Sequence, residues 1–325
     1  MLDLFLTRKL PAKAMQRLET NFHLRVNPDD RVLASEEIIE GVRDADILLC
    51  LLTDTIDRAI IDAGANLRGI VNYAVGYNNI DVDYATSKGL PVTNTPGVLT
   101  DTTADMAWAL MFAAARRVIE GDRFTRANHF EGWGPLLLLG VDVHGATLGI
   151  VGAGRIGEAV ARRSVGFGMR VLYSDHKSNP ALERDIDARH VPLDHLLKQS
   201  DFVSLHVPMS SATRYLIGAS ELEMMKPDAV LINTSRGPVV DEAALVAALQ
   251  SGVIRAAALD VYEDEPALAH GLAQLDNVVL APHIASASEA TRTRMGIMAA
   301  DNAIAIAQGE RPPQLINPQV WQEER

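Results

Sequence analysis

Four ionisable side chains stand where chemistry could be done. Arg236 follows the apolar run VLINTS, Asp260 follows AAAL, Glu265 comes shortly after in VYEDEP, and His283 follows NVVLAP. Each has an ordinary structural use when taken alone. Together they are a set suited to hydride transfer to a carbonyl. That reaction needs a proton donor for the developing alkoxide, and histidine is the side chain tuned for it near neutral pH. A neighbouring carboxylate raises the pKa of a histidine and fixes its ring; Glu265 is the candidate, with Glu263 and Asp264 as its nearest rivals. A guanidinium at the mouth of a buried strand is costly unless an anion meets it. For Arg236 that anion is a substrate carboxylate, gripped bidentately, or else Asp260 in a structural ion pair. His206, closing FVSLH, lies on the same edge, lining a cofactor pocket or hydrogen-bonding structurally. With no HExxH and no cysteine pair, no metal site is expected.

A second constellation is the loop Gly152-x-Gly154-x-x-Gly157, which follows the strand TLGIV and opens the helix RIGEAVARR. The first glycine permits a tight turn, the second lets a pyrophosphate approach the backbone, and the third lets helix pack on strand. Backbone N–H groups at the helix start would meet the phosphates. The next strand ends at Asp175, 23 residues past Gly152. An acid there accepts both ribose hydroxyls of NAD and repels the 2′-phosphate of NADP. His176 and Lys177 follow at once and are suited to holding that phosphate, so NAD is the expected cofactor and NADP a possible one.

These groups need elements to carry them. Strands are expected at 2–6, 22–26, 46–52, 67–73 and 89–96, with helices opened by Pro11, by Ser35 and at about Thr55. A long helix is expected over 101–120. A second strand-helix series then has strands at 147–151, 169–173, 202–206, 229–233, 255–259 and 278–280, and a helix over about 288–308. Alternation of this kind predicts an α/β fold with two doubly wound parallel sheets. The dinucleotide fingerprint lies mid-chain. The expected organisation is therefore a flavodoxin-like substrate-binding domain, 1–100 plus 287–325, and an inserted Rossmann domain, 101–286. Two linkers would make a hinge, with a cleft where ligands are commonly bound.

Composition narrows the class. The chain has 325 residues, 48% hydrophobic and 22% charged, enough for about two domains of ordinary size. Its net charge of −12 and lack of basic clusters argue against nucleic acid or anionic membrane as a partner. Cys50 is the only cysteine and sits in the apolar run ILLCLL, so no intrachain disulfide is expected and the thiol reads as core. No signal-peptide pattern opens the chain, and the longest apolar run, 106–115, is too short to span a bilayer. A cytoplasmic location is the expectation.

These stretches resemble the D-isomer-specific 2-hydroxyacid dehydrogenases. VNYAVGYNNIDVDYATSKGLPVTNTPGV is similar to the family's substrate-domain signature, and LGIVGAGRIGEAVARRSVGFGMRVLYSD to its cofactor block. LINTSRGPVVDEAALVAAL, AALDVYEDEP and LAPHIASAS resemble the three blocks that carry its Arg, Glu and His. The resemblance spans nearly the whole chain. It implies that Arg236 binds the substrate carboxylate and carbonyl, that Glu265 pairs with His283, and that His283 is the acid-base. It implies carboxylate contacts from the N–H groups of Val75 and Gly76, with Ser286 also at the substrate. Arg155 and Ile156 would cover the pyrophosphate. Val207, Pro208, Thr213, Thr234, Ser235, Asp260 and His283 would line the rest of the cofactor site.

VLTDTTADMAWAL and the loop FEGWGPLLLLGVDVHGATLGIVG are most similar to glyoxylate/hydroxypyruvate reductases and related 2-ketogluconate reductases. The resemblance implies a homodimer in which the apolar loop around Trp133 and Leu136–Leu139 reaches the partner's site; a locally packed loop is the plainer reading. Asn78 and Ala285 depart from the family's usual Asp and Gly, the second adding a methyl beside His283. The expected activity is NAD(P)H-dependent reduction of a small 2-oxoacid to the D-2-hydroxyacid. Two alternatives stand. One is a sister dehydrogenase acting on 2-ketogluconate, D-lactate, D-3-phosphoglycerate, formate or phosphite. The other is a dinucleotide-sensing, corepressor-like binding protein.

Overall fold

The computed structural model describes residues 1–321, which divide into two compact units: Met1–Leu99 with the chain from Ala287 on, and Thr100–Ser286. In the first unit five strands, β1 (Leu2–Leu6), β2 (Phe22–Val26), β3 (Ile47–Cys50), β4 (Gly69–Asn72) and β5 (Val92–Thr93), form a parallel sheet in the order β2-β1-β3-β4-β5. That is the flavodoxin-like order. Strands β3 and β4 are buried along their whole length, as a sheet covered on both faces requires. The helix Glu289–Gln308, capped by the Ser288 hydroxyl, packs over β3 and β4 and beside the helix Ala12–Asn21.

The second unit holds β6 (Thr147–Val151), β7 (Arg170–Ser174), β8 (Arg189–His190), β9 (Phe202–Leu205), β10 (Val230–Asn233), β11 (Ala256–Leu259) and β12 (Val278–Leu280). They pair in parallel in the order β12-β11-β10-β9-β6-β7-β8. The order reverses between β6 and β9, and ligands bind at the carboxyl ends of strands at such a switch point. One core lies under the helix Thr100–Ala115, where Trp108, Phe112 and Phe167 interlock with ring centroids 5.0–5.7 Å apart. Trp108 also donates its indole N–H to the Val160 carbonyl at 3.0 Å, so no polar atom of that ring is stranded.

Four elements differ from the sequence reading. The helix expected over 101–120 is two helices, Thr100–Ala115 and Val118–Arg126, joined through Arg117 at φ 52°. The Ala115 carbonyl is taken by the Val141 N–H at 2.9 Å, a partner far along the chain that ends the helical ladder. The strand expected over 89–96 is only Val92–Thr93, because the Asn94 and Thr95 N–H groups turn to the Gln314 and Ala74 carbonyls. Strand β8 has two residues and carries no period that a sequence could show. The helix expected at about Thr55 starts at Arg58, where the Asp57 side chain accepts the Ile60 N–H. No helix among the described residues is long and apolar enough to cross a membrane.

Candidate active site

The phosphate loop sits at the switch point. Gly152 has φ 91°, and a Cβ there would lie 2.9 Å from the His206 carbonyl group, at the end of β9. A Cβ at Gly157 would lie 2.0 Å from the Gly152 oxygen, whereas one at Gly154 would meet nothing within 4 Å. Two glycines are thus required by the fold itself, and the middle one leaves open space. Gly154 is the N-cap of the helix Arg155–Arg163, so the N–H groups at the helix start open onto that space. Asp175 follows β7. Its Oδ2 accepts the Ala153 N–H at 2.7 Å and its Oδ1 the His176 N–H at 2.6 Å. An ionised carboxylate has about four lone-pair sites, so capacity for ribose hydroxyls is left. The loop beyond β9 is closed by Thr213, whose hydroxyl donates to the Pro208 carbonyl at 2.7 Å and accepts the Ser210 N–H at 2.8 Å. Val207 and Pro208 enter this loop. At the end of β10 the buried Thr234 hydroxyl has no hydrogen-bond partner among the described residues, while Ser235 is spent on Asn233 at 2.8 Å. An open phosphate cradle, an acid at the second strand and an orphaned buried hydroxyl all fit a dinucleotide.

On the adjoining strand ends the ionisable groups gather. His283 Nδ1 and Glu265 Oε2 are 2.8 Å apart, and Glu265 Oε1 accepts the Tyr262 N–H at 3.0 Å. Burial alone would raise the Glu265 pKa. The hydrogen bond and charge of His283, the Tyr262 N–H and the charge of Arg236 outweigh it and hold the carboxyl below its usual value. Glu265 is therefore an anion fixed on the Nδ1 side of the ring. Arg236 is part-buried and donates from Nη1 to the Ser235 carbonyl at 2.7 Å. Burial lowers its pKa and the nearby Glu265 charge pulls it back up; a guanidinium remains charged through such shifts.

His283 has φ 55°, a left-handed conformation that costs a non-glycine residue about 1–2 kcal/mol. Asp260 holds the chain there. It is 0% exposed, and its two oxygens accept the Ile284 and Ala285 N–H groups at 2.8 and 2.7 Å. Burial raises its pKa against those two bonds. Asp260 thus serves the backbone beside His283 directly. Ala285 is buried and Ser286 part-buried just beyond.

One participant escaped the sequence reading. Glu242, the first residue of the helix Glu242–Ser251, is buried, and its oxygens accept the Glu263 N–H at 2.7 Å and the Ala269 N–H at 3.4 Å. It braces the segment that carries Glu265. An acid at a helix start is commonplace, and the two N–H groups that donate to it come from a loop 21 and 27 residues on, so no local signal marks it. Of the rivals to Glu265, Glu263 is engaged with Arg214 and Tyr215, away from the histidine. The His206 ring bonds Ser204 Oγ at 2.8 Å, and burial pushes its pKa down to about 3. It is a neutral ring held by that hydrogen bond.

In the first unit, Val75 and Gly76 follow β4 at the carboxyl edge of that sheet, in a part-buried turn.

Residues 108–285 match the model of the D-isomer specific 2-hydroxyacid dehydrogenase family, NAD binding domain. The chain belongs to the D-isomer-specific 2-hydroxyacid dehydrogenases. It is 52% identical over 318 residues to a glyoxylate reductase of Korarchaeum cryptofilum, covering 97% of this chain and 96% of that one. Among solved structures it is similar to a protein from Thermus thermophilus, with TM-score 0.91 and 41% identity over 97% of this chain and 100% of that one. It is also similar to an NADPH-dependent glyoxylate/hydroxypyruvate reductase from Sinorhizobium meliloti in complex with NADP and malonate. There the TM-score is 0.87, with 31% identity over 100% of this chain and 99% of that one. The protein is an NAD(P)-dependent dehydrogenase of this family.

Proposed function

We propose that this dehydrogenase reduces glyoxylate, hydroxypyruvate or a 2-oxoacid of similar size to the D-2-hydroxyacid. The observation that carries the reading is the Glu265–His283 pair at 2.8 Å beside Arg236, on the sheet edge that also bears the phosphate loop. NAD(P)H, when bound, supplies the hydride. Gly152, Gly154, Arg155, Ile156 and Gly157 would hold its pyrophosphate, Asp175 its adenosine ribose, and Val207, Pro208, Thr213, Thr234 and Ser235 the remainder. Arg236 grips the substrate carboxylate and polarises the carbonyl. His283 delivers the proton to the carbonyl oxygen, and Glu265 stabilises the imidazolium before that transfer. The N–H groups of Val75 and Gly76 would hold a carboxylate, which makes Met1–Leu99 with the chain from Ala287 on the substrate-binding part. Asp175 favours NAD over NADP.

The protein is also read as a cytoplasmic homodimer. Trp133 and Leu136 are 84% and 80% exposed, and the helix Val118–Arg126 beside them buries no residue, an apolar face that a second copy would cover. A monomer mass at micromolar concentration would remove the dimer. The activity test follows absorbance at 340 nm with NADH or NADPH and glyoxylate, hydroxypyruvate and 2-ketogluconate in turn. Loss of absorbance, fastest with the two smaller acids and with NADH, is expected. A flat trace over the panel would favour a dinucleotide sensor.

A further inference from the structure

The turn that follows β4 is tied down one carbonyl at a time. The Ala74 carbonyl accepts the Thr95 N–H at 2.8 Å. The Val75 carbonyl accepts Asn94 Nδ2 at 2.7 Å, and the Gly76 carbonyl accepts Asn72 Nδ2 at 2.8 Å. In a trans peptide the N–H points opposite to the C=O. Three consecutive ties therefore turn the N–H groups of Val75, Gly76 and Tyr77 the other way, and none of the three is taken by an acceptor among the described residues. Successive N–H groups of this kind make an anion cradle.

The two amides are themselves built in. Asn72 ends β4, is fully buried, and reaches Asn79 Oδ1 at 3.4 Å; Asn79 in turn donates to the Leu51 and Asp54 carbonyls at 3.0 and 3.1 Å. Asn94 stands just past β5, where its own carbonyl accepts Asn302 Nδ2 at 3.2 Å. A buried asparagine at a strand end is costly unless its amide is used. Here the use is to fix two peptide planes.

From these ties we infer that Asn72 and Asn94 are positioning residues for the substrate carboxylate, Asn94 acting through the peptide plane that carries the Gly76 N–H and Asn72 through the one that carries the Tyr77 N–H. This rests on the reading that the turn at Val75 and Gly76 holds the carboxylate, and extends it to the Tyr77 N–H. Neither amide touches the substrate. Each sets the direction of a donor and so acts on binding and not on proton or hydride transfer.

The test uses Asn72→Leu, which keeps the volume and removes the donor, in the full-length protein. KM for glyoxylate and Ki for oxamate should each rise about tenfold, with kcat changed less than about twofold and the NADH dissociation constant unchanged. Oxamide, which lacks the carboxylate, should bind the parent enzyme far more weakly than oxamate and be indifferent to the substitution. If oxamide binds the parent as well as oxamate, the carboxylate reading itself fails. If oxamate is preferred but Asn72→Leu leaves KM and Ki unchanged, that reading stands and the positioning role is overturned. A fall in kcat and in NADH affinity together with KM overturns it too, as general damage would. Should Asn72→Leu not fold, Asn94→Leu decides by the same readouts through the Gly76 N–H.

Discussion

The two parallel sheets end in edges built of different material. The first unit's edge presents peptide N–H groups held by the neutral amides Asn72 and Asn94. The second unit's edge presents Arg236, Glu265 and His283, braced by the buried carboxylates Asp260 and Glu242. Neutral amides suit the first task, because a fixed dipole that never titrates gives the same cradle at any working pH. Charged groups suit the second, because a proton must move and its donor must be held by a counter-charge. Peptide planes are fixed by amides, and the titrating ring by carboxylates. Substitutions at the proton-handling pair of the charged edge, Glu265 and His283, should therefore reach kcat, and those at the anion-binding groups, Arg236 and the neutral edge, should show in KM.

The sharpest break in that comparison would come at His283. His283→Ala should lower kcat by about 10²–10⁴-fold with NADH affinity intact; steady-state rates beside an NADH titration decide it, and near-normal turnover would remove the proton donor from the charged edge. Next comes Arg236→Lys, which keeps the charge and loses the fork. A rise in KM of about 10–100-fold is expected with the cofactor constant little changed. An unchanged KM would return Arg236 to a structural role and leave anion binding to the neutral edge alone.

Smaller effects separate fold from binding within the phosphate loop. Gly157→Ala puts a methyl against the Gly152 carbonyl and should cost about 1–3 kcal/mol, read as a lower Tm without any ligand. Gly154→Ala meets open space, so Tm should hold while KM for NADH rises. Equal loss of Tm in both would show that the middle glycine serves the fold too. The smallest effect belongs to His206, whose pKa falls from 6.5 to about 3 on burial. Between those values the unfolded chain binds a proton that the folded chain refuses. Stability present above pH 6.5 is thus lost as pH drops through that window, by at most about 1.4 kcal/mol per unit. His206→Gln should flatten the acid side of a Tm–pH curve; an unchanged slope would assign it to other groups.

Much of the sheet order was legible because each strand is a short apolar run bounded by turn residues. The phosphate loop was legible because its three glycines and the next strand lie within one βαβ stretch. The groups that brace the site were not. Asp260 reads as one more acid at a strand end, and only the folded chain shows both its oxygens on the backbone after His283. Glu242 and Asn72 are ordinary residues in sequence; their partners are backbone groups of turns, which carry no side-chain signature. The helix break at Arg117 was invisible for the same reason, since the Val141 N–H that ends the ladder lies 26 residues beyond Ala115.

Taken by itself, the sequence determined the α/β class, the place of the phosphate loop, the acid at Asp175 and the identity of the ionisable groups at the strand ends. Those features follow from residue type and local spacing. Tertiary structure alone decided that Asp260 holds a left-handed histidine and that two asparagine amides aim the peptides after β4. Such outcomes depend on backbone groups brought together from distant segments, and every residue carries the same backbone.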